Sequence, residues 1–207
     1  MNHVPAALTK KPRLVVIGNG MAGMRTVEEI LGRAPDKYEI TVFGAEPRVN
    51  YNRIMLSPLL SGEKEFDDIV INTHEWYQEN RIHLFSGDPV VKIDRDRKVV
   101  VSKSGSETAY DQLLLATGSD PIIIPVPGYK LSGVVTFRDV DDVDVMLKVA
   151  ENGGPAVVIG GGLLGLEAAV GLQARGMSVT VLHLAGHVME RQLDPSAGYL
   201  LAQELGR

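Results

Sequence analysis

The 207-residue sequence contains no cysteine. That excludes disulfides, thiolate metal sites, iron–sulfur ligation by cysteine and a redox-active dithiol within this chain. No stretch reaches the ~18 uncharged apolar residues of a membrane span. Lys10 and Lys11 follow the apolar residues of the N-terminus instead of preceding them, which is not a secretory layout, and the expected location is the cytoplasm. Neither sign of charge dominates, and a net charge of −5 gives no reason to expect a nucleic acid or an anionic membrane as partner. The five histidines (His3, His74, His83, His183 and His187) are not spaced as a metal site, and no acid–base triad is recognisable. Neither metal ligands nor catalytic side chains are therefore expected.

What the sequence does have is glycine in a repeated arrangement. Arg13-Leu-Val-Val-Ile leads into Gly18-Asn-Gly20-Met-Ala-Gly23, and Ala156-Val-Val-Ile leads into Gly160-Gly-Gly162-Leu-Leu-Gly165. Each is a β-branched run, then Gly-x-Gly-x-x-Gly, then a helical pattern. One such match is a weak signal, with an ordinary βα turn as the alternative. Two in the required strand–turn–helix context point to two bound dinucleotides. The first glycine of each set (Gly18, Gly160) permits a tight turn. The second (Gly20, Gly162) lets the backbone approach a pyrophosphate, and the third (Gly23, Gly165) lets helix and strand pack closely. Met21 and Ala22, like Leu163 and Leu164, begin the helices whose free N–H groups and dipole favour an anion.

Periodicity places a strand over 13–18, a helix from Met21 to Leu31 and a second strand from Tyr38 to Phe43. Glu46 follows, close to the ~20-residue spacing at which an acid accepts hydrogen bonds from ribose hydroxyls. A solvated loop glutamate is the alternative. Glu65 to Asn80 reads as one helix, with Trp76 in its packed face, and Arg81 to Phe85 as a third strand. Val90–Asp94, Lys98–Ser102 and Thr108–Tyr110 read as an antiparallel meander with polar turns. Leu113 to Ala116 is a buried strand. Prolines 121, 125 and 127 mark a break between units. A helix over Val140–Ala150, a βα unit from Ala156, a strand from Val179 and a helix opened by Asp194-Pro195 follow. Two strands are fewer than a dinucleotide unit of this type uses, so the second unit reads as truncated.

These motifs resemble the flavoprotein pyridine-nucleotide oxidoreductases with two dinucleotide-binding domains. Leu113-Leu-Leu-Ala-Thr117-Gly118 is similar to that family's second FAD motif, and Gly87-Asp-Pro-Val90-Val-Lys-Ile93-Asp94 to its Gly-x-x-Val-x-x-Ile-Asp segment. The resemblance implies an α/β, three-layer fold of two Rossmann-like units, FAD first and a partial NAD(P)H unit second, with a small antiparallel β-meander. It implies a flexible tail over 1–12, an FAD-binding domain over 13–120, and a linker with a partial NAD(P)H domain over 121–207. The absence of cysteine sets the chain apart from the disulfide reductases, because Tyr51-Asn-Arg53-Ile-Met-Leu-Ser57 stands where those carry a cysteine pair. That segment is followed by Pro58, where ferredoxin-reductase-like members usually have a lysine. With Val16–Arg25, Thr41–Pro47 and Met189–Asp194, it resembles the large-subunit branch of NAD(P)H-dependent nitrite reductases, over their N-terminal flavin part only.

The resemblance implies hydride transfer from NAD(P)H to FAD and electrons passed to downstream redox domains or a small carrier. It implies cofactor-binding roles for both glycine sets, for Glu46, for Val90 facing the adenine, and for Thr117 and Gly118 beside the flavin nucleotide. Arg53 stands either near the flavin or its phosphate, or in a surface loop. Glu167 stands either near the nicotinamide, or as a helix-start acid favoured by the dipole. His183 takes the place of the acid that NAD-specific units use, without an arginine after it, so NADH against NADPH stays open, as does a homodimer. The alternatives are a rubredoxin- or ferredoxin-type reductase, and a truncated FAD-binding fragment without activity alone.

Overall fold

A computed structural model describes residues 10–206, so His3 and the first nine residues of the expected tail lie outside the described residues. The chain divides into two compact units. The first runs from the start of the described chain to Tyr51 and includes Val70–Ser119, and the second comprises Asn52–Ile69 and the chain from Asp120 onward. Residues 52–69 thus group in space with sequence that follows residue 120.

The first unit is built on a parallel sheet. Strands β1 (Arg13–Ile17), β2 (Glu39–Phe43) and β3 (His83–Phe85) and a later strand, β7 (Gln112–Leu115), lie in the order β3-β2-β1-β7. Helix α1 (Met21–Arg33) is the crossover from β1 to β2. The uninterrupted apolar run of β1 is explained by cover on both faces. Leu14 and Val16 pack with Met24 and Val27 of α1 and with Ile40 and Val42. Val15 and Ile17 point the other way, into a second core with Phe43, Val100 and Tyr110. That second face is roofed by an antiparallel meander, β4 (Val90–Asp94), β5 (Val99–Ser102) and β6 (Glu107–Ala109). Helix, parallel sheet and meander make the three expected layers in this unit. Asp111 anchors the start of β1: its carboxylate accepts from the Arg13 backbone N–H at 2.8 Å and from the guanidinium through Nε and Nη2, each at 3.0 Å.

The single helix expected over 65–80 is instead two short ones, α3 (Phe66–Ile69) and α4 (His74–Glu79). The chain between them is needed elsewhere. Val70 forms a β-bridge with Tyr51, and the Ile71 N–H donates to the Asn50 carbonyl at 2.9 Å. Thr73 then restarts the helix by accepting the Trp76 N–H. Tyr77 is buried, while Trp76 packs partly buried against the same core.

In the second unit, a 3-10 turn (Arg53–Met55) leads into α2 (Leu56–Ser61). Helix α5 (Val140–Ala150) precedes a parallel pair, β8 (Pro155–Ile159) and β9 (Ser178–Leu182), joined through α6 (Leu163–Ala174), and α7 (Pro195–Leu205) closes the described chain. Helix α2 is fastened to the end of α6 by Arg175, whose guanidinium donates to the Leu60 and Leu59 carbonyls at 2.6 and 3.3 Å. Gly171 makes room there, since a Cβ would lie 2.8 Å from the Leu60 side chain. Among the described residues, no helix is long and apolar enough to cross a membrane.

Candidate dinucleotide-binding sites

Both glycine loops adopt one geometry. Gly18 has φ +118° and Gly160 φ +120°, which disfavours any side chain at either position. The third glycine of each set lies under the first: a Cβ on Gly23 would be 2.5 Å from the Gly18 carbonyl oxygen, and one on Gly165 2.0 Å from that of Gly160. The middle glycines, Gly20 and Gly162, cap the helices in extended conformation, and a Cβ built on either meets no atom within 4 Å. Each loop therefore opens a space over the start of a helix.

The helix starts are equally distinctive. Neither α1 nor α6 has a side-chain cap or an acid in its first turn. Three other helices satisfy such N–H groups with side chains: Thr73 caps α4, Asp139 forms a capping box with Asp142 at α5, and Asp194 caps α7; the short α2 has no side-chain cap but continues directly from the 3-10 turn before it. The two helices that follow glycine loops leave their donors and positive dipole ends for a ligand, which is what a pyrophosphate needs. A dinucleotide fits the residues present at both loops.

The first loop is built in. Its Gly18 N–H donates to the Phe43 carbonyl at 2.8 Å, and a Cβ on Gly18 would lie 2.0 Å from the Ala116 carbonyl oxygen. That contact arises because β7 pairs with β1, so Thr117 and Gly118 emerge beside the loop, Gly118 at φ +73°. Asn19 locks the loop from the other side, donating to the Arg48 carbonyl at 3.2 Å and accepting from the Tyr77 hydroxyl at 2.7 Å. Burial pushes the Tyr77 phenol up to about 12. Glu46 lies past the end of β2, with its carboxylate accepting from the Tyr51 hydroxyl at 2.6 Å. The Gly87 N–H donates to the Glu46 carbonyl and the Asp88 N–H to that of Gly44, so the strand carrying Val90 starts next to Glu46. Gly18, Gly20, Met21, Ala22, Gly23, Glu46, Val90, Thr117 and Gly118 thus belong to one neighbourhood. Asn19 and Tyr77 were not singled out from the sequence, although Asn19 stands inside the fingerprint as its variable position.

The second loop is tied to the chain after β9. The Gly161 N–H donates to His183 Nδ1 at 3.0 Å, and its carbonyl accepts from the Met189 N–H at 2.8 Å. His183 Nε2 lies 3.1 Å from a Glu190 carboxylate oxygen. Glu167, on α6, accepts from the Ser57 hydroxyl at 2.8 Å. Arg53 donates to the Arg138 carbonyl at 3.0 Å. Within this unit Gly160, Gly162, Leu163, Leu164, Gly165 and Glu167 share the α6 start, with Leu163 and Leu164 about half exposed. Nothing in the spacing of Ser57 or Glu190 announced their partners. Among the described residues no group of three His, Asp or Glu side chains is arranged to hold a metal.

Residues 12–207 match the family described as pyridine nucleotide-disulphide oxidoreductase. Over 195 residues the sequence is 52% identical to nitrite reductase [NAD(P)H] of Bacillus subtilis, covering 94% of this chain and 24% of that protein. It is 47% identical to the assimilatory nitrate reductase electron transfer subunit of the same organism, covering 95% of this chain and 25% of that protein. The crystal structure of NADH:rubredoxin oxidoreductase from Clostridium acetobutylicum superposes with a TM-score of 0.84 at 31% identity, covering 96% of this chain and 51% of that one. The chain therefore spans about a quarter of the length of these two curated relatives. With two glycine loops of one geometry, a parallel sheet roofed by an antiparallel meander, and a match that runs from Pro12 to the last residue, the chain belongs to the pyridine nucleotide-disulphide oxidoreductase family.

Proposed function

We propose that this chain is the FAD- and NAD(P)H-binding part of an NAD(P)H-dependent nitrite reductase, receiving reducing equivalents from NAD(P)H and delivering them to downstream redox domains. The single observation that carries the reading is the repeated loop: two uncapped helix starts, each behind a Gly-x-Gly-x-x-Gly turn of the same backbone geometry. The likeness to nitrite reductase [NAD(P)H] of Bacillus subtilis supports nitrite as the final acceptor, and the likeness to the electron transfer subunit of the same organism supports passage of electrons to a further redox partner. FAD, when bound, would supply acceptance of a hydride and its release as single electrons.

The chain's own residues bind and orient. The N–H groups of Met21 and Ala22 and the dipole of α1 would hold the FAD pyrophosphate, and those of Leu163 and Leu164 on α6 the NAD(P)H pyrophosphate. Glu46, fixed by Tyr51, would accept from the FAD ribose hydroxyls. Thr117 and Gly118 would flank the flavin nucleotide and Val90 the adenine. Glu167, held by Ser57, would face the nicotinamide. The likeness to the rubredoxin reductase favours a second reading, in which a small electron carrier takes the place of the downstream domains.

The test is the visible spectrum of the purified chain after incubation with FAD and desalting. The expected result is a retained flavin spectrum that bleaches anaerobically on adding NADH or NADPH. A colourless protein overturns the reading of the first unit, and retained flavin that neither coenzyme bleaches overturns hydride transfer by this chain. Bleached protein that reduces added rubredoxin but supports no nitrite reduction with downstream domains supplied would favour the second reading.

A further inference from the structure

The loop after β9 carries a carboxylate into the second unit. His183, the residue that follows β9, accepts the Gly161 N–H on Nδ1. Its ring proton therefore sits on Nε2. That nitrogen faces the His187 carbonyl at 3.0 Å and a Glu190 carboxylate oxygen at 3.1 Å. The Met189 N–H closes the arrangement on the Gly161 carbonyl, with Met189 itself at φ +56°. Both backbone polar groups of Gly161 are thus engaged by the segment 183–189. Gly161 must be glycine for this, since a Cβ would lie 2.8 Å from the imidazole. The outcome is a carboxylate whose side chain is 37% exposed, pinned beside the end of β9. In a βαβ nucleotide unit the end of the second strand faces the adenosine ribose, and an acid there accepts from its hydroxyls.

We propose that His183 is a positioning residue that sets Glu190 as the ribose-binding carboxylate of the second unit, and that this carboxylate selects NADH over NADPH. The proposal rests on the reading of the second unit as a nicotinamide-coenzyme site. The first unit carries a parallel device, a glutamate past the second strand held by a ring donor: Glu46 by Tyr51 at 2.6 Å. A carboxylate is acceptor-only and matches a ribose diol. The same carboxylate repels a 2′-phosphate, whereas a neutral imidazole by itself does not. Arg191, adjacent and exposed, is the group that opposes this preference. Asp194, the next acid along, is committed to capping α7.

The experiment is titration of the full chain with NADH and NADPH separately, followed by fluorescence, for the wild type and for E190Q, H183A and R191Q. The wild type is expected to bind NADH roughly tenfold or more tightly than NADPH. Glu190→Gln and His183→Ala are expected to narrow that ratio by about tenfold, weakening NADH and strengthening NADPH. Arg191→Gln leaves the preference for NADH in place. A purely structural role for His183 would weaken both coenzymes alike and leave the ratio unchanged. A wild type that prefers NADPH, or a ratio unmoved in E190Q, overturns the proposal while leaving the coenzyme site intact. Folded protein that binds neither coenzyme overturns the reading of the second unit itself, and this proposal with it.

Discussion

Gly18 and Gly160 have the same backbone conformation, yet a methyl group on the first would sit 2.0 Å from a carbonyl oxygen and on the second would touch nothing within 4 Å. The difference comes from neighbours, not from the loops. In the first unit β7 pairs with β1 and brings Ala116 against the turn, whereas β8 pairs with β9 alone among the described residues. The strands tell the same story. Leu14, Val15, Val16 and Ile17 of β1 are all buried, while Val157 and Ile159 of β8 are 61% and 60% exposed. Loop geometry is thus a local property of the glycine pattern, and crowding around it is a property of the sheet.

The sharpest way to break this comparison is to put alanine at both turns. Gly18→Ala combines a left-handed conformation with a backbone clash and is expected to cost about 4 kcal/mol or more. Gly160→Ala faces only the conformational term, about 1–2 kcal/mol. Urea unfolding of the two variants, followed by circular dichroism, measures the difference. Equal losses would mean that Ala116 yields readily and that the sheet does not brace the loop.

Packing gives the next contrast. Phe43 is fully buried and stacks on Phe85 with ring centroids 4.8 Å apart, while Leu182 on the second sheet is 53% exposed. Phe43→Ala is expected to lose about 3–5 kcal/mol. Leu182→Ala should stay within about 0.5–1 kcal/mol, because less than half of its side chain leaves water. Thermal denaturation of both would sharpen the comparison, and a large effect at Leu182 would show that its face is covered in solution.

A smaller effect belongs to the lock on the first loop. Tyr77→Phe removes the hydrogen bond to Asn19 and should cost about 1 kcal/mol. The phenol is raised from 10.0 to about 12 by burial. A raised pKa means that the folded state favours the protonated phenol. That stabilisation is complete below pH 10 and is lost as pH rises towards 12. An alkaline absorbance titration should show one tyrosine ionising late, and the Phe variant should lack that step.

The smallest effect is at the partly exposed pair that anchors β1. The hydrogen bonds from Arg13 hold the Asp111 carboxyl well below the usual carboxylate range. A depressed pKa contributes stability above the unfolded value, near 3.8, and that contribution fades as pH falls below it. Asp111→Asn should therefore differ from wild type at neutral pH and converge with it in acid. Carboxyl chemical shifts of Asp111 against pH check the direction, and an ordinary midpoint would remove the anchor from the account.

Several elements were legible because their causes are local. The glycine sets, the continuous apolar β1 and the Asp194-Pro195 helix start each carry their reason within a few residues. The single helix expected over 65–80 failed for a non-local reason. Its composition suits a helix, but Val70 and Ile71 are drawn out to pair with Tyr51 and Asn50, which periodicity within the segment does not reveal. Site residues divide in the same way. Gly18 to Gly23 and Gly160 to Gly165 stand in the sequence as motifs. The partners that hold Glu46, Glu167 and Glu190 (Tyr51, Ser57 and His183) do not.

The sequence by itself determined that two turns need glycine, that the helices behind those turns begin without side-chain caps, and that no thiol chemistry is available within this chain, because steric limits on φ, helix-end donors and residue chemistry are settled residue by residue. Tertiary structure decided which turn is braced, which strand is buried on both faces and which carboxylate meets which donor. Those depend on strand pairing and on contacts between residues as far apart as Ser57 and Glu167, 110 positions along the chain, and distance in space is not written in local sequence.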